Sequence, residues 1–171
     1  MEAEGILTAL AEIAVAIAGF SGIVVVLQGR RGAWSETDRG RFSLLVQLSL
    51  GSVFFSLIPI VLHLIDSSES FVWRWSSGIW LVYISCAVPF RVRSLPRASG
   101  SELDQSYGKA LAFMFSTLTI SVVLQIVNAG WLRVSWPYVV VLMLALLDAS
   151  FLFVRLLRGV FAPAAQQGDE D

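Results

Sequence analysis

Apolar positions along the chain gather into five long blocks, covering residues 5–27, 42–65, 71–90, 109–129 and 137–157. Each is close to the length of about 20 residues that a helix needs to cross a hydrocarbon core about 30 Å thick. Backbone groups in lipid have to be satisfied within their own segment, so blocks of this length predict helices and leave almost no room for sheet. The pattern predicts an all-α fold: an integral membrane bundle of five transmembrane helices forming one domain over residues 1–161. The last ten residues, APAAQQGDED, predict a disordered acidic tail over 162–171.

The polar gaps orient the bundle. Ten of the twelve basic residues fall at alternate gaps: Arg30, Arg31, Arg39 and Arg41, then Arg91, Arg93, Arg97 and Lys109, then Arg155 and Arg158. Short loops rich in Lys and Arg stay in the cytoplasm. An odd number of spans then places the N-terminus outside and the C-terminus in the cytoplasm. Trp73, Trp75, Trp131, Trp136 and Tyr138 map to the outer rim and Trp34 to the inner one, where aromatic belts form. Ser35 with Asp38, and Ser101 with Asp104, resemble capping boxes. They predict that the second and fourth helices start near Glu36 and Glu102, before the bilayer begins.

Composition agrees with this reading and narrows the chemistry. Of 171 residues, 56% are apolar and 15% charged, and mean hydropathy is +0.74; soluble domains carry about a quarter charged residues. No basic stripe suited to nucleic acid is present. The first 20 residues lack the basic start and short apolar core of a cleavable signal, which predicts a retained first helix. Cys86 is the single cysteine and His63 the single histidine, so neither a disulfide nor a His/Cys metal site is expected. Without a catalytic triad, an HExxH motif or a phosphate loop, an enzyme is not expected either.

The candidate chemistry lies in polar residues stranded within apolar blocks. Asp148, in VVVLMLALLDASFLF, falls roughly 16 Å below the outer start of its helix. An ionised carboxylate at that depth costs about 2.5 to 3.5 kcal/mol, so it is expected to face the interior and hold a partner or a proton. Glu12, His63, Gln125 and Asn128 join it between the midplane and the outer surface. These five groups fit an outward-facing ion or proton pathway, and each also fits a satisfied packing residue. Pro59 and Pro89 interrupt spans and are expected to kink them or free a carbonyl. Ala11, Ala14, Ala18 and Gly22 mark a small-residue face for helix packing, against this chain or a second copy.

The stretch from Ala11 to Val24, AEIAVAIAGFSGIV, with Arg30, Arg31, Trp34 and Asp38 after it, resembles the opening of a group of small bacterial polytopic membrane proteins of uncharacterised activity. The likeness covers about the first third of the chain and implies a membrane bundle, with no activity attached.

The sequence thus points to a multi-pass protein of a bacterial inner membrane, a homo-oligomer that passes a small ion or proton, with no cofactor. The alternative is a non-conducting accessory or structural subunit, whose basic residues Arg30, Arg31, Arg91, Arg93 and Arg97 contact anionic lipid or a protein partner. Topology is directly testable. With Cys86 replaced, a cysteine at Ser70 should react with an impermeant maleimide from outside; reaction from the cytoplasmic side alone would reverse the orientation.

Overall fold

The computed structural model describes residues 3–29, 36–94 and 105–161. Five α-helices account for nearly all of them: α1 (Glu4–Gly29), α2 (Glu36–Ile65), α3 (Glu69–Ser94), α4 (Gln105–Val127) and α5 (Ser135–Phe161). No strand occurs among the described residues. The second helix is described from Glu36, its expected cap Ser35 lies outside the described residues, and so does the expected start of the fourth near Glu102. The expected tail over 162–171 and Arg30, Arg31, Trp34 and Arg97 lie outside them as well.

Four helices contain stretches long and apolar enough to cross a membrane: Glu4–Val26, Arg39–Ile65, Ala112–Leu132 and Ser135–Arg158. α3 has 26 residues but is diluted by serines, aromatics and Arg74, and it falls outside this group. It nevertheless packs within the bundle.

Successive helices run antiparallel. One end gathers the start of α1, the end of α2 and the starts of α3 and α5 around a shared apolar cluster that includes Leu7, Leu10, Phe55, Trp73, Tyr138 and Leu142. The opposite end joins Val24, Leu45, Leu152 and Leu156 from α1, α2 and α5. Trp75, Trp131 and Trp136 are exposed around the first end, called here the tryptophan-rich end. Trp73, which its sequence position assigns to the interfacial rim, is buried inside it against Tyr138, ring centroids 6.0 Å apart.

Two short connections close this end. Between α2 and α3, Asp66 Oδ1 accepts from the Ser68 backbone N–H at 2.8 Å, an Asx-type turn that reverses the chain in three residues. α4 runs into a π-helical turn, Asn128–Leu132, followed by Arg133 with φ of 54° in the left-handed region. Asn128 holds that corner. Its Oδ1 accepts from Val134 N–H at 3.0 Å, its backbone carbonyl accepts from Arg133 N–H at 3.0 Å, and its Nδ2 donates to Ser77 Oγ of α3 at 2.9 Å.

The surface is the inverse of a soluble protein's. Phe54, Val61, Leu64, Val82 and Met143 are exposed, while Ser49, Ser52, Ser56, Ser76, Ser77, Thr117, Ser121, Gln125, Asn128 and Asp148 are buried. An apolar exterior around a core that also holds polar side chains suits a lipid surround, where association rests on small residues and interhelical hydrogen bonds.

α2 and α3 continue through Pro59 and Pro89. A proline removes the N–H that would reach the carbonyl four residues back, so Pro59 leaves Phe55 O without its helical partner. Tyr138 of α5 supplies one: its hydroxyl, on a fully buried side chain, donates to Phe55 O at 2.8 Å. The two residues therefore act as a pair. Tyr138→Phe should lower stability by about 1 to 3 kcal/mol, the range for an unsatisfied buried acceptor. In a Pro59→Ala background, where the backbone N–H returns, the same change should have less than half that effect. Equal losses in both backgrounds, measured by unfolding in mixed micelles, would refute the coupling.

Candidate functional site

The polar groups of the interior are arranged in stripes, because residues three and four apart share a helix face. On α4 and the π-turn that continues it, Thr117, Ser121, Gln125 and Asn128 follow that spacing, and all four are buried. On α2, Ser49, Ser52 and Ser56 do the same, followed on that face by the buried Pro59 and the half-buried His63. α3 contributes Ser76 and Ser77 near the tryptophan-rich end.

The α4 stripe leads to Asp148. From Asn128 to Thr117 it extends about 16 Å along the axis, and Asp148 lies about 20 Å from the start of α5. Thr117 Oγ1 donates to Asp148 Oδ2 at 2.8 Å and also stands 2.9 Å from Met114 O. Asp148 is 7% exposed, and its Oδ1 has no hydrogen-bond partner among the described residues. One and two turns further along α5 stand Leu152 and Leu156, members of the apolar cluster at the opposite end. The polar stripe thus ends at the carboxyl, and leucines follow it.

Several interior groups lack partners within the described structure. They are Gln125 Oε1 and Nε2, and the hydroxyls of Ser49, Ser56 and Ser76, all on side chains with no exposed surface, together with His63 Nδ1 and Trp73 Nε1. Other hydroxyls satisfy themselves: Ser52 donates to Leu48 O at 2.8 Å and Ser21 to Ala18 O at 2.6 Å. An unpaired amide or hydroxyl in an apolar surround costs roughly 2 to 7 kcal/mol. These groups are therefore the places where a small polar species would be held most strongly. No group of three or more His, Cys, Asp or Glu side chains that could hold a metal occurs among the described residues.

Of the five residues expected to serve a pathway, the structure places Gln125 and Asn128 on one stripe with Asp148 at its foot, and His63 on the serine face of α2. Glu12 lies elsewhere. It is exposed on the side of α1 opposite the buried Leu7, Leu10, Ala14 and Ser21. Among the small residues of α1, Ala14 is fully buried and Ala11 and Ala18 are half-buried, all within this chain. Gly22 is exposed with no atom near where its Cβ would stand. Arg91 and Arg93 fall on the last turn of α3.

The serines and Thr117 are the functional candidates that hydropathy passes over, since hydroxyl residues barely dent an apolar average. Their signal was positional: Ser49, Ser52, Ser56 and Thr117, Ser121, Gln125, Asn128 each repeat at helical period. Compared with family models, curated proteins and solved structures, the chain finds no match. The site and fold together define a helical bundle with four candidate membrane-spanning helices and polar stripes within an apolar core.

Thr117 is the side chain that meets Asp148. Thr117→Val keeps the shape and removes the hydroxyl, and should lower stability by about 1 to 3 kcal/mol through the orphaned carboxyl; Thr117→Ser should restore most of it. Thermal unfolding in detergent, with wild type alongside, makes the comparison, and a neutral Val variant would dissociate Thr117 from Asp148.

Proposed function

We propose that this protein is a multi-pass protein of a bacterial inner membrane that passes a small ion or proton through its own polar interior, with Asp148 as the group that binds it. One observation carries the reading: a carboxyl in the middle of a spanning helix is buried at the foot of a polar helix face, with one oxygen unpartnered among the described residues. Intramembrane carboxyls are expensive and serve as proton or ion sites by default.

In this reading all five helices cross the bilayer. α3 is about 39 Å long at 1.5 Å per residue, runs antiparallel to α2 and hydrogen-bonds the end of α4 through Ser77. The tryptophan-rich end faces outward and the C-terminus lies in the cytoplasm, where Arg30, Arg31, Arg91, Arg93 and Arg97 meet anionic headgroups or a partner.

Assembly belongs to a different surface from conduction. Gly5, Thr8, Glu12, Ala16 and Gly19 share the exposed face of α1. Its small side chains allow close approach of a second copy, and a protein contact would shield Glu12 from lipid. Homo-oligomers would form there.

Reconstitution tests the function. Liposomes holding the wild-type protein should dissipate an imposed ion or proton gradient, and Asp148→Asn should reduce the rate to that of empty liposomes. Absence of flux for protons, sodium and potassium alike would rule the reading out and favour a non-conducting accessory subunit.

A further inference from the structure

Gln125 has no exposed surface, and neither of its amide atoms meets a hydrogen-bonding group among the described residues. A primary amide offers two N–H donors and a carbonyl acceptor. Whatever satisfies it has to donate and accept together. A metal cation answers Oε1 and repels the N–H groups; an anion does the reverse. Water does both. The hydroxyls of Ser49, Ser56 and Ser76 are buried and unpartnered in the same way, and each also combines one donor with acceptor capacity.

Spacing points to the same occupant. Neighbouring positions on one helix face stand about 5 to 6 Å apart at Cβ. A single water that donates to one group and accepts from the next, at about 2.8 Å each way, spans that gap. Asn128, Gln125, Ser121 and Thr117 are such neighbours in sequence, and all are buried.

At the foot of the stripe, hydrogens can be counted. Thr117 Oγ1 lies 2.9 Å from Met114 O and 2.8 Å from Asp148 Oδ2. The hydroxyl owns one hydrogen, and a backbone carbonyl and a carboxylate both only accept. That single hydrogen is shared between the two acceptors as a three-centre bond, so Thr117 only partly meets the needs of Asp148 Oδ2.

We infer that the buried face of α4 holds a file of water from the tryptophan-rich end to Asp148, and that the species delivered there is a proton and not a metal cation. This rests on the reading of Asp148 as the intramembrane ion site and names its substrate. Each transfer breaks one O–H bond at the donor water and forms one at the acceptor oxygen, so charge advances while the oxygens stay in place. Asp148 Oδ1, the oxygen without a partner among the described residues, is where the proton arrives.

The test uses the full chain in liposomes with dyes for protons, sodium and potassium, and infrared spectra of the same samples. Wild type should pass protons and neither metal ion. Gln125→Leu, which replaces the unpaired amide with an apolar group of similar size, should reduce proton flux about tenfold or more while leaving the unfolding temperature equal or higher. The wild-type minus Asp148→Asn spectrum should contain the carbonyl band of a protonated carboxyl, shifting promptly in D2O. Sodium or potassium flux that Asp148→Asn abolishes would overturn the proton assignment and leave the ion site standing. Unchanged proton flux in a folded Gln125→Leu protein would overturn the water file. So would a carboxyl band that does not shift in D2O, a readout that needs no folded Gln125 variant. No flux of any species would overturn both the inference and the reading beneath it.

Discussion

Much of this bundle depends on one hydrogen bond, from the Tyr138 hydroxyl to Phe55 O. Pro59 leaves that carbonyl without its helical donor, and in a lipid surround no solvent is at hand to replace it. A donor from another helix therefore has to come, and it comes from α5. The bond sets the rotation of α5 as well as its position. Asp148 is ten residues beyond Tyr138, which at 100° per residue places it about 80° around the helix. With Tyr138 turned to α2, Asp148 is turned toward α4, where Thr117 meets it. Around the same bond, Trp73 packs on Tyr138 and Phe55 on Tyr83, so the aromatic cluster at the tryptophan-rich end reinforces the orientation.

The hydroxyl residues divide into two groups that hydropathy alone does not separate. Thr8, Ser85, Ser116 and Thr119 are exposed, and each donates to a carbonyl three or four residues back in its own helix. That bond makes a hydroxyl tolerable against lipid and asks nothing of a neighbour. Ser52 and Ser21 do the same in the interior. Ser49, Ser56 and Ser76 do not, although nothing in the α-helical backbone forbids it. Their hydroxyls, like the Gln125 amide, remain available to a species in the interior.

The helices were legible in the sequence because depth is a one-dimensional property. A run of apolar residues and a rise of 1.5 Å per residue put Asp148 near mid-membrane and Gln125 and Asn128 above it. Azimuth is not one-dimensional. Whether Glu12 turns inward or outward depends on which face of α1 packs on α2 and α5, and Leu7, Leu10 and Ala14 take that face. The π-turn at Asn128 and the left-handed Arg133 had no turn signature to announce them, since neither glycine nor proline occupies the left-handed position. Pro59 was visible as a source of a freed carbonyl. Its partner was not, because Tyr138 lies 79 residues further along the chain and only the packed bundle brings them together.

Glu12 and Asp148 meet different surroundings in the same bundle. Both carboxyls lie in stretches apolar enough to span, and each carries a desolvation cost of a few kcal/mol when ionised in lipid. Asp148 meets that cost inside the chain, through Thr117 and the polar face of α4. Glu12 has no such shelter in a single copy: its face offers Gly5, Ala16 and Gly19, and the glycines have open space beside them. Shelter for Glu12 therefore has to come from outside the chain, whereas Asp148 is met by Thr117 within it. Under the proposed reading, a pathway inside each copy and a contact between copies on the far side of α1 would leave neither carboxyl dependent on the other.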